Sequence, residues 1–303
     1  MAVALVGPTA SGKSALAHQL ALESAGVVEI LCVDSMTVYR GMDIATAKAT
    51  PQQRQEVSYH LLDLIEPAQE FTVAQFQQEA RIAADLVWAL GGSVLYVGGT
   101  GLYGRAVLDN FDIPGQYPET RALIEGRHDD VAQLYEQLTR VDPVAAAKME
   151  PTNARRIVRA LEVTLGSGRP FSSYGQGLRH YGPARVLQVG LNCEFDVLDV
   201  RITRRFQSWM EEGLLEEVAQ LRESGMSRTA RQAVGYRELL RHLEDGVELE
   251  RCVEDAITRS RRLARRQRSW FQRDPRVEWF DDPSDAAKRI DEVLQSPDGF
   301  VRD

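Results

Sequence analysis

Gly7-Pro8-Thr9-Ala10-Ser11-Gly12-Lys13-Ser14 is the stretch on which the reading of this chain turns. It fits G-x-x-x-x-G-K-[ST], the pattern of a loop that cradles phosphates. The flanking residues supply the context that pattern needs. Val3-Ala4-Leu5-Val6 before it is a buried-strand pattern, and Leu16, Ala17 and Leu20 after it recur at helical spacing. A strand, a glycine-rich turn and a helix in that order let backbone N–H groups converge on phosphate oxygens, with the positive end of the helix dipole behind them. Lys13 adds a point charge, and Ser14 offers a hydroxyl able to hold a magnesium ion. The loop predicts binding of a diphosphate or triphosphate and leaves open which molecule carries it.

Working outward, Val27 to Val33 is a second apolar run, ending in Asp34. Thr72 to Leu90 predicts a helix, with Val73, Phe76, Ala80, Ala83 and Val87 on one stripe. Ser93 to Val97 is a third strand pattern and runs into Gly98-Gly99. Strands alternating with helices predict an α/β fold of the P-loop NTPase-like kind, a parallel sheet flanked by helices. Ligands of such sheets collect beyond the carboxyl ends of the strands. The turns Gly7 to Ser14, Asp34 to Arg40 and Gly98 to Tyr103 are therefore expected to share one site. Asp34 at a strand end has three possible jobs: ordering magnesium, accepting a proton from a nucleophile, or capping a helix. Thr100 can donate a hydrogen bond to a phosphate or bridging oxygen.

The texture changes after this region. Asn110 to Pro118 holds Pro114, Gly115 and Pro118 and reads as a linker. Glu119 to Gly126, Val131 to Val141, Asp142 to Lys148 and Asn153 to Leu165 read as helices. Gly166 to Pro183 is again rich in Gly, Ser and Pro, and Arg185 to Leu191 returns to a strand pattern. The expectation is a discontinuous catalytic core, 1–111 with 183–303, and a helical insert, 112–182. The tail from Phe195 is mostly helical, with a last strand at Val277 to Phe280.

Composition excludes several classes. The chain has 303 residues, 44% hydrophobic and 26% charged, an ordinary globular balance. No run reaches the ~18 apolar residues needed to span a bilayer, so no membrane partner is expected. Met1 to Gly7 reads as a strand rather than a leader. Cys32, Cys193 and Cys252 form neither a metal-ligand pattern nor a disulfide framework, which predicts a reducing, cytoplasmic setting. The net charge of −8 hides an asymmetry: Arg251 to Arg276 holds nine arginines against three acidic residues, a local +6 that leaves −14 elsewhere. Such asymmetry can focus a polyanion on one face, or be no more than a solvated helix face.

Three segments, GPTASGKS, DSMTVYRGMDIATAKAT and VGGTGLY, together resemble the bacterial tRNA dimethylallyltransferase (tRNA isopentenyltransferase) family. Later segments extend the resemblance in the same order over nearly the whole chain. Arg155-Arg156-Ile157-Val158-Arg159-Ala160-Leu161-Glu162 resembles the family's helix that meets tRNA. Gln232-Ala233-Val234-Gly235-Tyr236 resembles its Gly-Tyr segment, and Ala264-Arg265-Arg266-Gln267-Arg268-Ser269-Trp270-Phe271 its basic C-terminal signature. The family departs from this chain in carrying Gln where Thr37 and Arg155 stand, and some eukaryotic members add a zinc-finger tail whose Cys/His spacing is absent here.

The resemblance implies a prenyl transfer from dimethylallyl diphosphate to N6 of adenine 37 of tRNA, with Mg2+ as cofactor. On that reading the loop Thr9 to Ser14 holds the diphosphate and Asp34 is the general base. Thr100 contacts the bridging oxygen and the nucleotide, and Arg201 steadies the departing pyrophosphate. Ser35, Met36 and Thr37 line the adenine pocket. Arg121, Arg155, Arg156, Arg159, Gln232, Gly235, Tyr236, Arg265, Arg266, Gln267 and Arg268 are expected to bind tRNA. Arg261, Arg265 and Arg268 fall on one side of a predicted helix, with Arg262 and Arg266 beside them, and are expected to track stem phosphates. Nothing demands more than a monomer.

Other readings use the same loop differently. A small-molecule kinase would use ATP, with Asp34 as base toward a hydroxyl, but leaves the arginine-rich tail unexplained. A prenyltransferase acting on free AMP would need neither that tail nor the insert. A non-enzymatic RNA-binding module would survive loss of Lys13 or Asp34.

Overall fold

The computed structural model describes residues 1–127, 130–175, 177–178 and 180–294. In chain order the first half holds β1 (Ala2–Val6), α1 (Lys13–Glu23), β2 (Val28–Cys32), α2 (Pro51–Glu56), β3 (Tyr59–His60), α3 (Val73–Ala89), β4 (Ser93–Gly98) and α4 (Gly101–Leu108). Four helices follow: α5 (Pro118–Glu125), α6 (Val131–Val141), α7 (Pro143–Ala146) and α8 (Ala154–Ser167). The chain then returns to the sheet with β5 (Leu187–Leu191), α9 (Phe195–Glu211), α10 (Leu214–Ser224), α11 (Tyr236–Asp245), α12 (Leu249–Phe271), β6 (Val277–Phe280) and α13 (Pro283–Leu294).

Two compact units result. One joins Met1–Asp109 to the segment from Pro183 onward, and the other is Asn110–Gly182. The larger unit is built on a six-stranded parallel sheet of order β3-β2-β4-β1-β5-β6. The α/β fold expected from the alternating pattern is the one observed.

Alternation along β1 explains why the sheet is covered on both faces. Ala4 and Val6 enter a core with Leu31, Val33, Phe76, Phe206 and Leu239. Val3 and Leu5 point the other way, into a core with Leu16, Leu20, Ile30, Leu95 and Ile290. Both side-chain sets are apolar, so the strand reads as a continuous apolar run, as a strand buried on both faces must. The helical pattern after the loop becomes α1, and the stripe on Thr72 to Leu90 becomes α3. Thr72 caps α3 and shares a reciprocal capping box with Gln75.

The tail is dominated by α12, whose buried positions Cys252, Ala256, Ser260 and Ala264 recur every fourth residue. Small residues at that spacing make a narrow inner stripe that lets α12 pack closely on α11 and α9. The smaller unit has its own core, in which Leu134, Leu138, Ile157 and Leu161 are buried. No helix among the described residues is long and apolar enough to cross a membrane.

Candidate active site

The sheet order brings the three polar strand ends together. β4 lies between β2 and β1, with Cys32 opposite Val97 and Val6 opposite Gly98. The turns that leave β1, β2 and β4 are therefore neighbours. β1 also separates β4 from β5, the kind of switch point beside which α/β sheets bind ligands.

Asp34 is held from two directions. The Thr100 hydroxyl donates to Oδ2 at 3.2 Å, and the Met36 amide donates to Oδ1 at 2.8 Å. The Ser35 amide donates to Thr100 Oγ1 at 3.5 Å. Burial raises the Asp34 pKa above its ordinary value; the Met36 amide, the Thr100 hydroxyl, Lys13 and the Thr37 amide oppose that rise. The carboxylate is thus a stronger base than an exposed aspartate, with its orientation set by neighbours.

The phosphate loop is lined by cations that lack acidic partners. Lys13 is buried, and its ammonium donates to the Pro8 carbonyl at 2.6 Å. Burial and the Arg205 guanidinium push its pKa down to about 7, against the pull of Asp34. Arg205 donates to Thr9 Oγ1 at 2.8 Å and lies 4.6 Å over the Trp209 ring. Burial lowers its pKa to about 10. Its Nε and the Ser11 hydroxyl are buried without a partner. Among the described residues no carboxylate pairs with either cation. Two like charges forced together beside an unsatisfied hydroxyl describe a site completed by an anion. α1 opens without a side-chain cap, which leaves its first amides free for that anion. Ala10 holds the loop crest at φ 65, a strained value for a residue with a side chain.

Arg201, expected at the pyrophosphate, sits at the rim. It is exposed, with Nη1 3.3 Å from the Ala10 carbonyl and 3.8 Å from Cys193 Sγ. Arg205 is the residue the sequence reading missed. Its signal was present, because Arg201 and Arg205 are four apart and share one side of α9.

The donor set suits magnesium. Ser14 and Asp34 offer hard oxygens, and among the described residues no three acidic, His or Cys side chains cluster as a metal cage. Magnesium takes one or two protein oxygens and fills its octahedron with water and substrate phosphate.

The expected RNA contacts divide. Ser35 and Met36 flank Asp34 and are half-buried. Thr37 is buried at 6% exposure, its hydroxyl enclosed without a partner. Gln232 is exposed. Gly235 and Tyr236 are corrected: both are buried, Tyr236 completely. The Tyr236 hydroxyl donates to Glu217 at 2.5 Å, and Glu217 accepts from the Asp43 and Ile44 amides. This pair fixes the segment after Asp34 rather than touching a macromolecule.

The arginine side of α12 is engaged within the protein. Arg261 and Arg265 pair with Asp199 of α9. Arg265 and Arg268 lie over the Phe195 ring, and Arg268 donates to the Cys193 carbonyl at 3.3 Å. That side packs on α9. Gln267 turns inward as well and accepts from the Thr9 amide at 2.8 Å. Arg266 is exposed, as are Arg262 and Arg273, and none of the three has an acidic partner among the described residues. Arg262 and Arg266, four apart, share one outer stripe of α12, and Arg273 lies in the turn just past its end.

In the smaller unit, Arg159 and Arg121 both reach Glu162, which is 2% exposed. Arg159 also donates to the Pro114 and Gly115 carbonyls. These two arginines neutralise a buried carboxylate, and Arg159 ties down the linker. Arg155 and Arg156 remain exposed.

Comparison with known proteins places this geometry. The sequence model of the IPP transferase family matches residues 37–274. A tRNA dimethylallyltransferase of Kineococcus radiotolerans is 43% identical over 305 residues, covering 96% of each chain. That of Thermobifida fusca is 44% identical over 299 residues, covering 96% of this chain and 92% of its own. The crystal structure of a tRNA isopentenylpyrophosphate transferase from Bacillus halodurans is similar with a TM-score of 0.70 at 36% identity, covering 97% of this chain and 96% of its own. A eukaryotic dimethylallyltransferase acting on tRNA is similar with a TM-score of 0.77 at 26% identity, covering 96% of this chain and 78% of its own.

Proposed function

The chain belongs to the IPP transferase family, and we propose from this membership and the site geometry how it acts. It modifies tRNA by dimethylallyl transfer. The donor is dimethylallyl diphosphate, the acceptor is N6 of adenine 37 beside the anticodon, and pyrophosphate leaves. The protein acts as a monomer in the cytoplasm, with magnesium.

The observation that carries this reading is the oriented, half-buried Asp34 beside a phosphate loop whose Lys13 and Arg205 form no salt bridge among the described residues. The reaction needs a base and a polyanion cradle side by side. The exocyclic amine attacks the first carbon of the prenyl chain as the bond from that carbon to the bridging oxygen breaks. The electron pair leaves with pyrophosphate, and the amine proton passes to Asp34. Thr100 and the Met36 amide occupy one lone pair on each carboxylate oxygen and leave others for the incoming proton. Lys13, Arg205, the Ser11 hydroxyl and the opening amides of α1 meet the charge that grows on the leaving oxygens. Magnesium, held by Ser14 when bound, would neutralise part of the same charge. Holding both substrates in line supplies several kcal/mol of the barrier reduction.

The acceptor base must leave the anticodon-loop stack to reach Asp34, which costs less in a loop than in a duplex. Arg262 and Arg266 on the outer stripe of α12, Arg273 just past its end, and the exposed pair Arg155 and Arg156 bind tRNA phosphates.

The test is direct. The protein is incubated with radiolabelled dimethylallyl diphosphate, magnesium and unmodified tRNA, with AMP and ATP in parallel. Label is expected in tRNA and, after digestion, in N6-dimethylallyl adenosine. Label in AMP alone moves the acceptor to free nucleotide, and ATP consumption without transfer makes the protein a kinase.

A further inference from the structure

Gln267 sits between two arginines of the basic tail, yet its side chain leaves that surface. Its Oε1 accepts the Thr9 amide hydrogen at 2.8 Å, and it is the α12 side chain that bonds the phosphate loop among the described residues. Its amide nitrogen presses on the turn after β4, where a Cβ on Gly99 would come within 2.5 Å of Nε2. Three residues on, Trp270 fills the same side of the helix, and a Cβ on Gly101 would lie 2.1 Å from its indole. Both contacts exist because glycine brings bare backbone to the helix.

Thr9 is therefore gripped twice. Arg205 of α9 donates to its hydroxyl, and Gln267 of α12 accepts from its amide. Thr9 lies at the start of the crest, so the bond to Gln267 leaves the opening amides of α1 to the diphosphate. Gln267 holds the loop in shape without competing for its ligand.

We propose that Gln267 is a positioning residue that couples the two substrates, reporting RNA held on the outer face of α12 to the diphosphate loop through its bond to Thr9. The inference rests on the tRNA reading above. The reason is mechanical. α12 is one uninterrupted helix of 23 residues. Phosphates that hold Arg262 and Arg266 on its outer stripe constrain Gln267 and Trp270 on its inner one. Neither inner contact has slack, because each rests on backbone that carries no side chain. Coupling of this kind is reciprocal, so diphosphate must tighten RNA by the same factor.

The experiment uses the full chain. Gln267→Met keeps length and volume and removes the acceptor; Gln267→Glu keeps an acceptor; Gln267→Ala serves should the methionine variant fail to fold. The Kd of inorganic pyrophosphate is measured with and without an anticodon stem-loop RNA. Prenyl transfer to tRNA by the wild type is followed in the same preparation. In the wild type, RNA is expected to tighten pyrophosphate by about fivefold or more. In Gln267→Met that ratio falls to about one with RNA affinity alone unchanged, and the loss of the Thr9 acceptor lowers the melting temperature modestly. Gln267→Glu weakens pyrophosphate outright, by its charge, but retains a ratio above that of the methionine variant. A wild-type ratio in Gln267→Met overturns the proposal, as does a ratio of one in a wild type that transfers normally. A wild type that transfers nothing to tRNA refutes the functional reading first.

Discussion

Thr100 donates its hydroxyl hydrogen bond to Asp34 across 3.2 Å and so ties the end of β4 to the end of β2. The bond orients the half-buried Asp34 carboxylate beside the phosphate loop. Asp34→Asn is expected to lower kcat by about 10²- to 10⁴-fold while tRNA affinity stays near that of the wild type. Because burial raises the Asp34 pKa, the acidic limb of the kcat profile should fall above the ordinary value of 3.8. Steady-state kinetics and filter binding read both. Weak tRNA binding with normal turnover at saturation removes the base assignment.

Lys13 gives the site a second pH dependence of opposite sense. Its pKa of about 7 means that the free protein loses this charge as pH rises through that value. Above it, binding a diphosphate must return the proton, so affinity should fall by up to about tenfold per pH unit. Calorimetry in two buffers of different ionisation enthalpy should register proton uptake. Lys13→Arg keeps the charge and should flatten the profile; a sloping profile in that variant would trace the dependence to another group.

Arg205→Gln should weaken pyrophosphate by about tenfold or more, since a charge-assisted contact is lost. It should also move the Lys13 midpoint upward, because Arg205 is one of the two causes of the depressed value. Arg201→Gln, at the exposed rim, should leave that midpoint in place. Equal midpoints in the two variants would refute the pairing of Lys13 with Arg205.

The outward arginines of α12 and of the turn after it make a prediction in salt. Replacing Arg262, Arg266 and Arg273 together with Gln should lower the slope of log affinity for tRNA against log salt by about 2 to 3. Replacing Arg261 and Arg265, which pair with Asp199, should act mainly on stability. The reverse pattern would return the RNA to the side of the helix that packs on α9.

Tyr236→Phe tests the reassignment of the Gly-Tyr segment. Removing the hydroxyl leaves Glu217 short of one partner and should cost about 1 to 2 kcal/mol of stability. The Kd for tRNA should not change. A loss of RNA affinity at unchanged stability would restore a direct contact.

The phosphate loop, the strand ends at Asp34 and Gly98, and the helical tail are legible in the sequence. They rest on local rules: apolar runs mark buried strands, helical spacing marks amphipathic helices, and a glycine-rich turn between strand and helix marks a phosphate cradle. Even the convergence of three turns follows from a parallel sheet, because its strand ends share one edge.

What the one-dimensional pattern left undecided is which way side chains turn once helices pack. Arg201 and Arg205 are equivalent by spacing, yet packing against Trp209 and Thr9 half-buries one and leaves the other exposed at the rim. Arg262 and Arg265 belong to one run, but Asp199 and Phe195 claim the second. Tyr236 and Gln267 stand in segments that resemble RNA-contacting ones, and both point inward, to Glu217 and to Thr9. Local sequence determined the elements and the chemistry they carry, because helix and strand periods are properties of neighbouring residues. The tertiary structure decided which charges are used up inside the protein, because ion pairing and burial depend on partners distant in the chain.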